Sequence, residues 1–397
     1  MSAGCVHGRQ APQHLELAQV LRAHGAAYCQ SHPMAAVQQR AMAAIETCRT
    51  AALGGHARVC DACGAIAVSY NSCRNRHCPK CQTLAKERWV AARAAELMPV
   101  PYFHLVFTLP HALNPLAQAN PRVIYAALFQ AASQTLAEFG HNARWLGGEL
   151  GATLVLHTWG QNLGQHLHVH ALVAGAALAA DGSLRLAKPG FLFPVSALSC
   201  VFRAKYLDLL QHAFAQDKLR FGGTTQALRE PRAFATFVAQ LRQPDWVVYA
   251  KRPFAGPGQV LAYLGRYTHR VAIGNHRLVS LSDSAVRFRW RDYAHGNATK
   301  VMTLAPEEFI RRFLLHVLPP GFMRIRHYGW LANRSKQDRI PRLRQLLDQP
   351  EAPKPEPESV AAFLLRVCHI DIARCPHCGE RRLRLVEIFY PRSRGPP

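Results

Sequence analysis

A chain of 397 residues has room for two or three domains, and 49% hydrophobic with 18% charged residues is a globular rather than a disordered composition. Lys and Arg number 48 against 24 Asp and Glu, a formal net charge of +24. Only 9 of the 48 are Lys, and the rigid Arg fork matches phosphate oxygens and base edges, so the expected partner is a nucleic acid rather than a lipid surface. No apolar run approaches the roughly eighteen residues of a membrane span, and the opening MSAGCVHGRQ lacks the apolar core of a secretory signal. No membrane role and a cytoplasmic, reducing setting are expected, where the twelve cysteines read as metal ligands or buried thiols before disulfides.

Residues 13–47 carry a helical pattern (Leu15, Leu17, Val20, Leu21, then Val37, Met42, Ile45), predicted as two helices split near Ser31–Pro33. A Cys- and Gly-rich stretch from Cys48 to Cys81 follows, and helical character resumes over 83–97. YFHLVFTLP at 102–110 reads as a strand stopped by proline, and 121–139 as an amphipathic helix. ATLVLHTWG (152–160) and HLHVHALVAG (166–175) form a predicted hairpin. A helix near 197–215 and a strand at 246–254 precede the AGPG break at 255–258, after which a helix should start. Residues 277–290 predict a second hairpin turning at Ser282–Asp283. The Pro/Glu stretch 349–359 is a linker, followed by a small module with CPHCG and an Arg-rich tail; no internal repeat is evident. The expected division is 1–98 (helical and zinc-binding, DNA recognition), 99–340 (catalytic) and 341–397 (linker and basic Cys-containing tail).

Cys60-Asp-Ala-Cys63 and Cys78-Pro-Lys-Cys81 form a C-x2-C…C-x2-C frame with fourteen residues between its halves, the pattern of a structural tetrahedral Zn2+ site. Cys48, His56, Cys73 and His77 crowd the same stretch as further candidate ligands, enough for a second zinc, although one is expected first. Arg74, Arg76 and Lys80 sit among the ligands, where a zinc-fixed loop would aim them at phosphates. A second knuckle, Cys375-Pro-His-Cys378, lies in the tail with Cys368 and His369 nearby to complete a separate four-ligand set.

His166, His168 and His170 alternate along one strand face while Leu167 and Val169 point the other way, so two imidazoles at i, i+2 can share one metal ion. The alternative is a polar strand face that happens to be His-rich in a chain holding 21 His. On the helix after AGPG, Val260, Leu261 and Leu264 form an apolar stripe flanked by Tyr263 and Tyr267 at i, i+4, with Arg266 and Arg270 alongside. By themselves two such tyrosines read as a core rim. Beside a His-x-His strand and an Arg-rich surface they become candidate phosphodiester nucleophiles, since phenolate is a better leaving group than alkoxide and stores the cleaved bond for resealing.

The stretches ALGGH (52–56), NSCRNRHCPKCQ (71–82), YFHLVFTLP (102–110), LHTWGQNL…HLHVH (156–170), YLGRYTHRVAI (263–273) and LPPGFMRIRHYGWLANR (318–334) resemble, in order over roughly residues 40–335, the two-tyrosine HUH transposases of the insertion-sequence-91 type, with their N-terminal zinc-binding domain. The resemblance implies an α+β fold: an HUH endonuclease-like antiparallel sheet with flanking helices, preceded by a small helical, zinc-ribbon-like domain. It makes His168 and His170 the pair holding a catalytic Mg2+ or Mn2+, with His157, Gln161, His166 or Gln259 as third ligand and His166 the first suggestion from strand alternation. It makes Tyr263 and Tyr267 the nucleophiles and Cys60, Cys63, Cys78 and Cys81 the zinc ligands. The implied activity is nicking and rejoining of single-stranded DNA at transposon ends and target through 5′-phosphotyrosine links, in a rolling-circle-like transposition within bacterial cytoplasm, at the nucleoid. Arg324 and Arg326, beside Tyr328, are candidate single-strand contacts. A replication initiator or relaxase with the same chemistry, or a non-catalytic zinc-dependent DNA-binding protein, are the alternatives; a pure binder needs neither the His strand nor the tyrosines.

Overall fold

The computed structural model describes residues 15–251, 259, 260, 263, 265, 272–293, 295–350 and 358–391. In chain order the first elements are α1 (Leu17–Ser31), α2 (Ala36–Glu46), β1 (Gly55–Cys60), β2 (Ile66–Tyr70), α3 (Gln82–Ala94) and β3 (Tyr102–Thr108). Then come α4 (Asn114–Ala119), α5 (Pro121–His141), β4 (Glu149–Trp159), β5 (Gln165–Leu178), β6 (Leu184–Leu186), α6 (Val195–Ala215) and α7 (Pro231–Arg242). The rest are β7 (Val248–Lys251), β8 (Leu278–Leu281), β9 (Val286–Asp292), β10 (Ala298–Leu304), α8 (Pro306–Leu314), β11 (Ile325–Gly329), α9 (Lys336–Leu346), α10 (Val360–Cys368) and β12 (Leu383–Phe389).

The chain divides into two compact units, neither contiguous: residues 1–87, 269–314 and 355–397 form one, and 88–268 with 315–354 the other. This differs from the three consecutive segments expected from the sequence. The physical reason in the first unit is strand pairing, because the C-terminal β12 lies antiparallel to β1 and β2 completes the three-stranded sheet β12-β1-β2. In that unit α1 and α2 are split where His32 precedes Pro33. A residue before proline is pushed out of the helical region, and His32 takes φ −129°, ψ 129°. α1 packs on α2 and on α8, whose Phe309, Ile310 and Phe313 are buried. β8, β9 and β10 make an antiparallel meander, with the first turn at 282–285 as expected.

The second unit is built on an antiparallel sheet of order β11-β4-β5-β3-β7, with β6 paired to β5. β5 is central and pairs with β4 and β3 along most of its length, the hairpin read from the sequence. Strand alternation divides the side chains between two faces. Leu167, Val169, Ala171 and Val173 of β5, Leu154 and Leu156 of β4, and Phe103, Leu105 and Phe107 of β3 enter one core with α5, α6 and α7. The opposite face buries Tyr102, Leu172, Ala174 and Ala176 with Met98, Val260, Trp330 and α9 residues Ile340 and Leu343. His168 and His170 have the parity of Leu172, so they stand on this second face. Burial on both sides makes the register firm, since a one-residue slip would exchange histidines for core aliphatics.

Candidate active site and metal centres

Cross-strand register assembles the histidines. His157 of β4 lies directly opposite His168 of β5, and directly opposed residues of an antiparallel pair share a face. One rung along, His170 is flanked by Val155 and Val106, and at the next rung Leu172 is flanked by Thr153 and His104. The ligand nitrogens of His157, His168 and His170 all lie within 4.8 Å of one another. His157 and His168 are buried and His170 half-buried. His166, the first suggestion for a third ligand, is not in this group. It sits one residue inside the start of β5 with its ring 5.3 Å from that of His111, and its place is taken by His157. Gln161 lies in the turn after β4, and Gln259 is exposed and helical.

The hydrogen bonds bear on whether this set suits a metal. His168 Nδ1–H donates to the His166 carbonyl at 3.0 Å, which leaves the Nε2 lone pair free. That Nε2 stands 3.2 Å from His170 Nε2, a spacing at which both nitrogens reach one ion at about 2.1 Å. With His170 donating its Nδ1–H to His104 Nε2 at 2.9 Å, two lone pairs converge on the same point, an arrangement a cation relieves. Burial, aided by the neighbouring His166, pushes His168 down to about 3, so it is neutral and ligand-competent at physiological pH.

Tyr263 completes the group. Its ring is buried, its hydroxyl contacts His104 Nε2, and it lies 3.3 Å from His170 Nδ1. His104 is pushed down to about 3 by burial and by Lys251, its register partner on β7. It is therefore a neutral imidazole, and with Nε2 as acceptor its one lone pair is shared between the phenol and His170. His104 is the residue that sequence reasoning missed. Its signal was one histidine in the run Phe103-His104-Leu105, where alternation turns it away from the main core. Tyr267, Arg266 and Arg270 lie outside the described residues.

The cysteines are partitioned differently from the C-x2-C…C-x2-C frame. Cys78 and Cys81 group with Cys48 and Cys73, and Cys60 and Cys63 with Cys375 and Cys378 of the tail. In the first group, Cys48–Cys81, Cys73–Cys81 and Cys48–Cys78 sulfurs are 3.4, 3.6 and 3.7 Å apart. Four thiolates about one zinc at about 2.3 Å stand roughly 3.8 Å apart, so the set fits a structural zinc. A disulfide, at about 2.05 Å, does not fit. The single four-cysteine site expected from Cys60, Cys63, Cys78 and Cys81 is thus corrected to two groups among the described residues, because β1 and β2 hold the two knuckles apart and β12 delivers a different partner. His56 is in β1 and His77 donates its backbone N–H to Asn75 Oδ1; neither is in a cysteine group. His369 caps α10.

The basic candidates are placed unequally. Arg74 is exposed on a left-handed turn residue (φ 53°), Arg76 is half-buried, and Lys80 pairs with Glu16 at 2.8 Å. Arg324 immediately precedes the edge strand β11. Arg326 lays its guanidinium over Phe129 (4.3 Å) and Phe322 (5.2 Å) and, with Arg122, His327, Tyr328 and Arg334, lines an open cleft of about 730 Å³. Among the described residues no helix is long and apolar enough to cross a membrane.

Known proteins share sequence with this chain. A family model described as "Putative transposase" matches residues 151–339, and one described as a transposase zinc-binding domain of the IS91 type matches residues 20–109. The "Putative transposase y4qJ" of Sinorhizobium fredii (strain NBRC 101917 / NGR234) is 48% identical over 387 residues, covering 96% of this chain and 97% of that protein. The transposase for insertion sequence element IS801 of Pseudomonas savastanoi pv. phaseolicola is 27% identical over 352 residues, covering 86% and 82%. Among solved structures, the conjugative relaxase TrwC in complex with mutant oriT DNA aligns at 18% identity over 41% of this chain and 71% of that chain, with a TM-score of 0.25. A metal-bound TrwC–oriT complex aligns at 15% identity over 44% and 73%, also with a TM-score of 0.25. A full-length relative sharing nearly half its residues, together with both domain matches, shows that this chain belongs to the IS91 family of transposases.

Proposed function

We propose that this transposase nicks and rejoins single-stranded DNA at the ends of an insertion sequence, with Tyr263 as a nucleophile. The observation that carries this reading is the Tyr263 hydroxyl lying between His104 and His170, next to the convergent nitrogens of His157, His168 and His170. The phenol oxygen attacks the scissile phosphorus, the bond to the 3′ oxygen breaks, and the products are a 5′-phosphotyrosine and a free 3′-OH. Attack of a 3′-OH on that link reverses the step and rejoins strands. His104 accepts the phenol's hydrogen bond and aims its oxygen; as a neutral, weakly basic imidazole it positions the phenol rather than storing its proton. A divalent ion held by His157, His168 and His170 would neutralise phosphate charge and favour departure of the 3′ oxygen. An all-imidazole set is a poor match for Mg2+, which prefers oxygen ligands. Tyr267, four residues further along the sequence, is assigned the second covalent link, so that one strand end stays held while another is cut, as a rolling-circle-like cycle needs. The open cleft with Arg326, Arg122, Arg334 and Tyr328 supplies charge and an aromatic ring for a single strand.

The test is covalent capture. The protein is incubated with labelled single-stranded transposon ends and Mn2+, and adducts are mapped by peptide mass. The wild type should form an adduct on Tyr263 or Tyr267, and the double Tyr→Phe variant none. His168→Ala with His170→Ala should abolish nicking while end binding persists. An adduct on Tyr249 or Tyr293, or nicking that survives the double His variant, would refute the assignment.

A further inference from the structure

The tail knuckle and the N-terminal knuckle are built alike. Cys60-Asp-Ala-Cys63-Gly64 and Cys375-Pro-His-Cys378-Gly379 share C-x2-C-G, and both glycines take left-handed φ, +71° and +81°. In each, the glycine N–H donates back to the first cysteine's carbonyl, Gly64 to Cys60 at 2.8 Å and Gly379 to Cys375 at 3.0 Å. In the tail, His377 N–H points at Cys375 Sγ at 3.4 Å, a donor suited to a thiolate. Cys78-Pro-Lys-Cys81 is followed by Gln82 instead, so the chemistry of the turn itself pairs the first knuckle with the last.

The two knuckles meet because β12 pairs with β1 from Gly55↔Phe389 to Cys60↔Leu383. The approach is close enough that a Cβ on Gly54 or Gly55 would fall inside 3.0 Å of Phe389 or its neighbours. Arg58 Nη1 donates to the Ile372 carbonyl at 2.6 Å, and Asp61 N–H to Arg382 at 3.0 Å, tying both strands down beside the sulfurs. Cys60–Cys378 and Cys63–Cys375 sulfurs stand 3.6 and 3.8 Å apart, the spacing of a tetrahedral tetrathiolate.

We propose that Cys60, Cys63, Cys375 and Cys378 bind a second structural Zn2+, stapling the C-terminal segment into the N-terminal unit as one zinc ribbon. Binding converts four thiols to thiolates and releases their protons to solvent, leaving a site of net charge −2 beside Arg58, Arg374 and Arg384. The matched zinc-binding domain ends at residue 109, so the tail cysteines belong to no assigned site.

The experiment is metal analysis of the purified full-length chain, with Co2+ substitution to read the ligand set optically. Two zincs per chain are expected. Cys375→Ser with Cys378→Ser should hold one, while Cys378→His should keep two and shift the Co2+ visible bands, since imidazole replaces one thiolate. One zinc or fewer in the wild type, or two in the double Ser variant, would overturn the proposal. The wild-type Co2+ spectrum decides even if a variant fails to fold, since a second tetrathiolate doubles the sulfur-to-metal charge-transfer absorbance, to which His157, His168 and His170 contribute nothing.

Discussion

Lowering the pH from 7 to 5 should destabilise the sheet unit through its buried neutral histidines. His104 and His168 are held down to about 3, and His316 and His327 to about 4, in each case chiefly by burial. His316 shows how the fold enforces neutrality: Nε2–H donates to the Leu163 carbonyl at 3.0 Å, so Nδ1 accepts from the Thr158 hydroxyl at 3.2 Å, and no acceptor remains for a second proton. His327 Nε2 likewise accepts from Arg93 at 3.2 Å. Because the folded values lie below the unfolded value of about 6.5, the unfolded chain binds more protons between those limits. The stability is fully present above about 6.5 and lost as pH falls toward 4 and 3. At pH 5 each imidazole costs about 2 kcal/mol relative to pH 7, and several together rival the ~5–15 kcal/mol that holds a domain. Urea denaturation of metal-free protein followed by tryptophan fluorescence at pH 7, 6 and 5 reads this, since of the six tryptophans Trp290 alone lies in the other unit. His316→Gln, which cannot protonate, should be less stable at pH 7 but lose about 2 kcal/mol less on acidification. A midpoint unchanged from pH 7 to 5, or a variant with the wild-type pH slope, would refute the reasoning.

Further outcomes are expected. Gly151→Ala drives a Cβ inside 3.0 Å of the fully buried Trp330 ring, so it should cost about 1–3 kcal/mol and lower Tm by several degrees in a thermal melt. Arg324→Ala with Arg326→Ala should reduce the salt slope of single-strand binding by about 1.4 if each meets one phosphate; an unchanged slope in a titration across ionic strengths would exclude both as phosphate contacts. Chelation of zinc should remove hydrogen-exchange protection from residues 48–81 while β3, β4 and β5 stay protected, and equal loss in both would show that zinc does not act locally.

Much of the site was legible because its signals are local. The alternation of Leu167, His168, Val169 and His170 declares one histidine face and one aliphatic face, since strand side chains alternate whatever the strand packs against. C-x2-C knuckles and the break at His32–Pro33 are equally local, set by a few dihedrals. What only the tertiary structure decided is which distant residues share a rung. The β4–β5 register brought His157, rather than the sequence neighbour His166, to His168 and His170, and the β3–β5 register supplied His104 to orient Tyr263. The β1–β12 pairing joined Cys60 and Cys63 to cysteines more than 300 residues away and left Cys78 and Cys81 to Cys48 and Cys73. Knuckle spacing says that two sulfurs turn inward together but carries no record of which other pair they meet. That choice belongs to cross-strand hydrogen bonds between segments far apart in the chain.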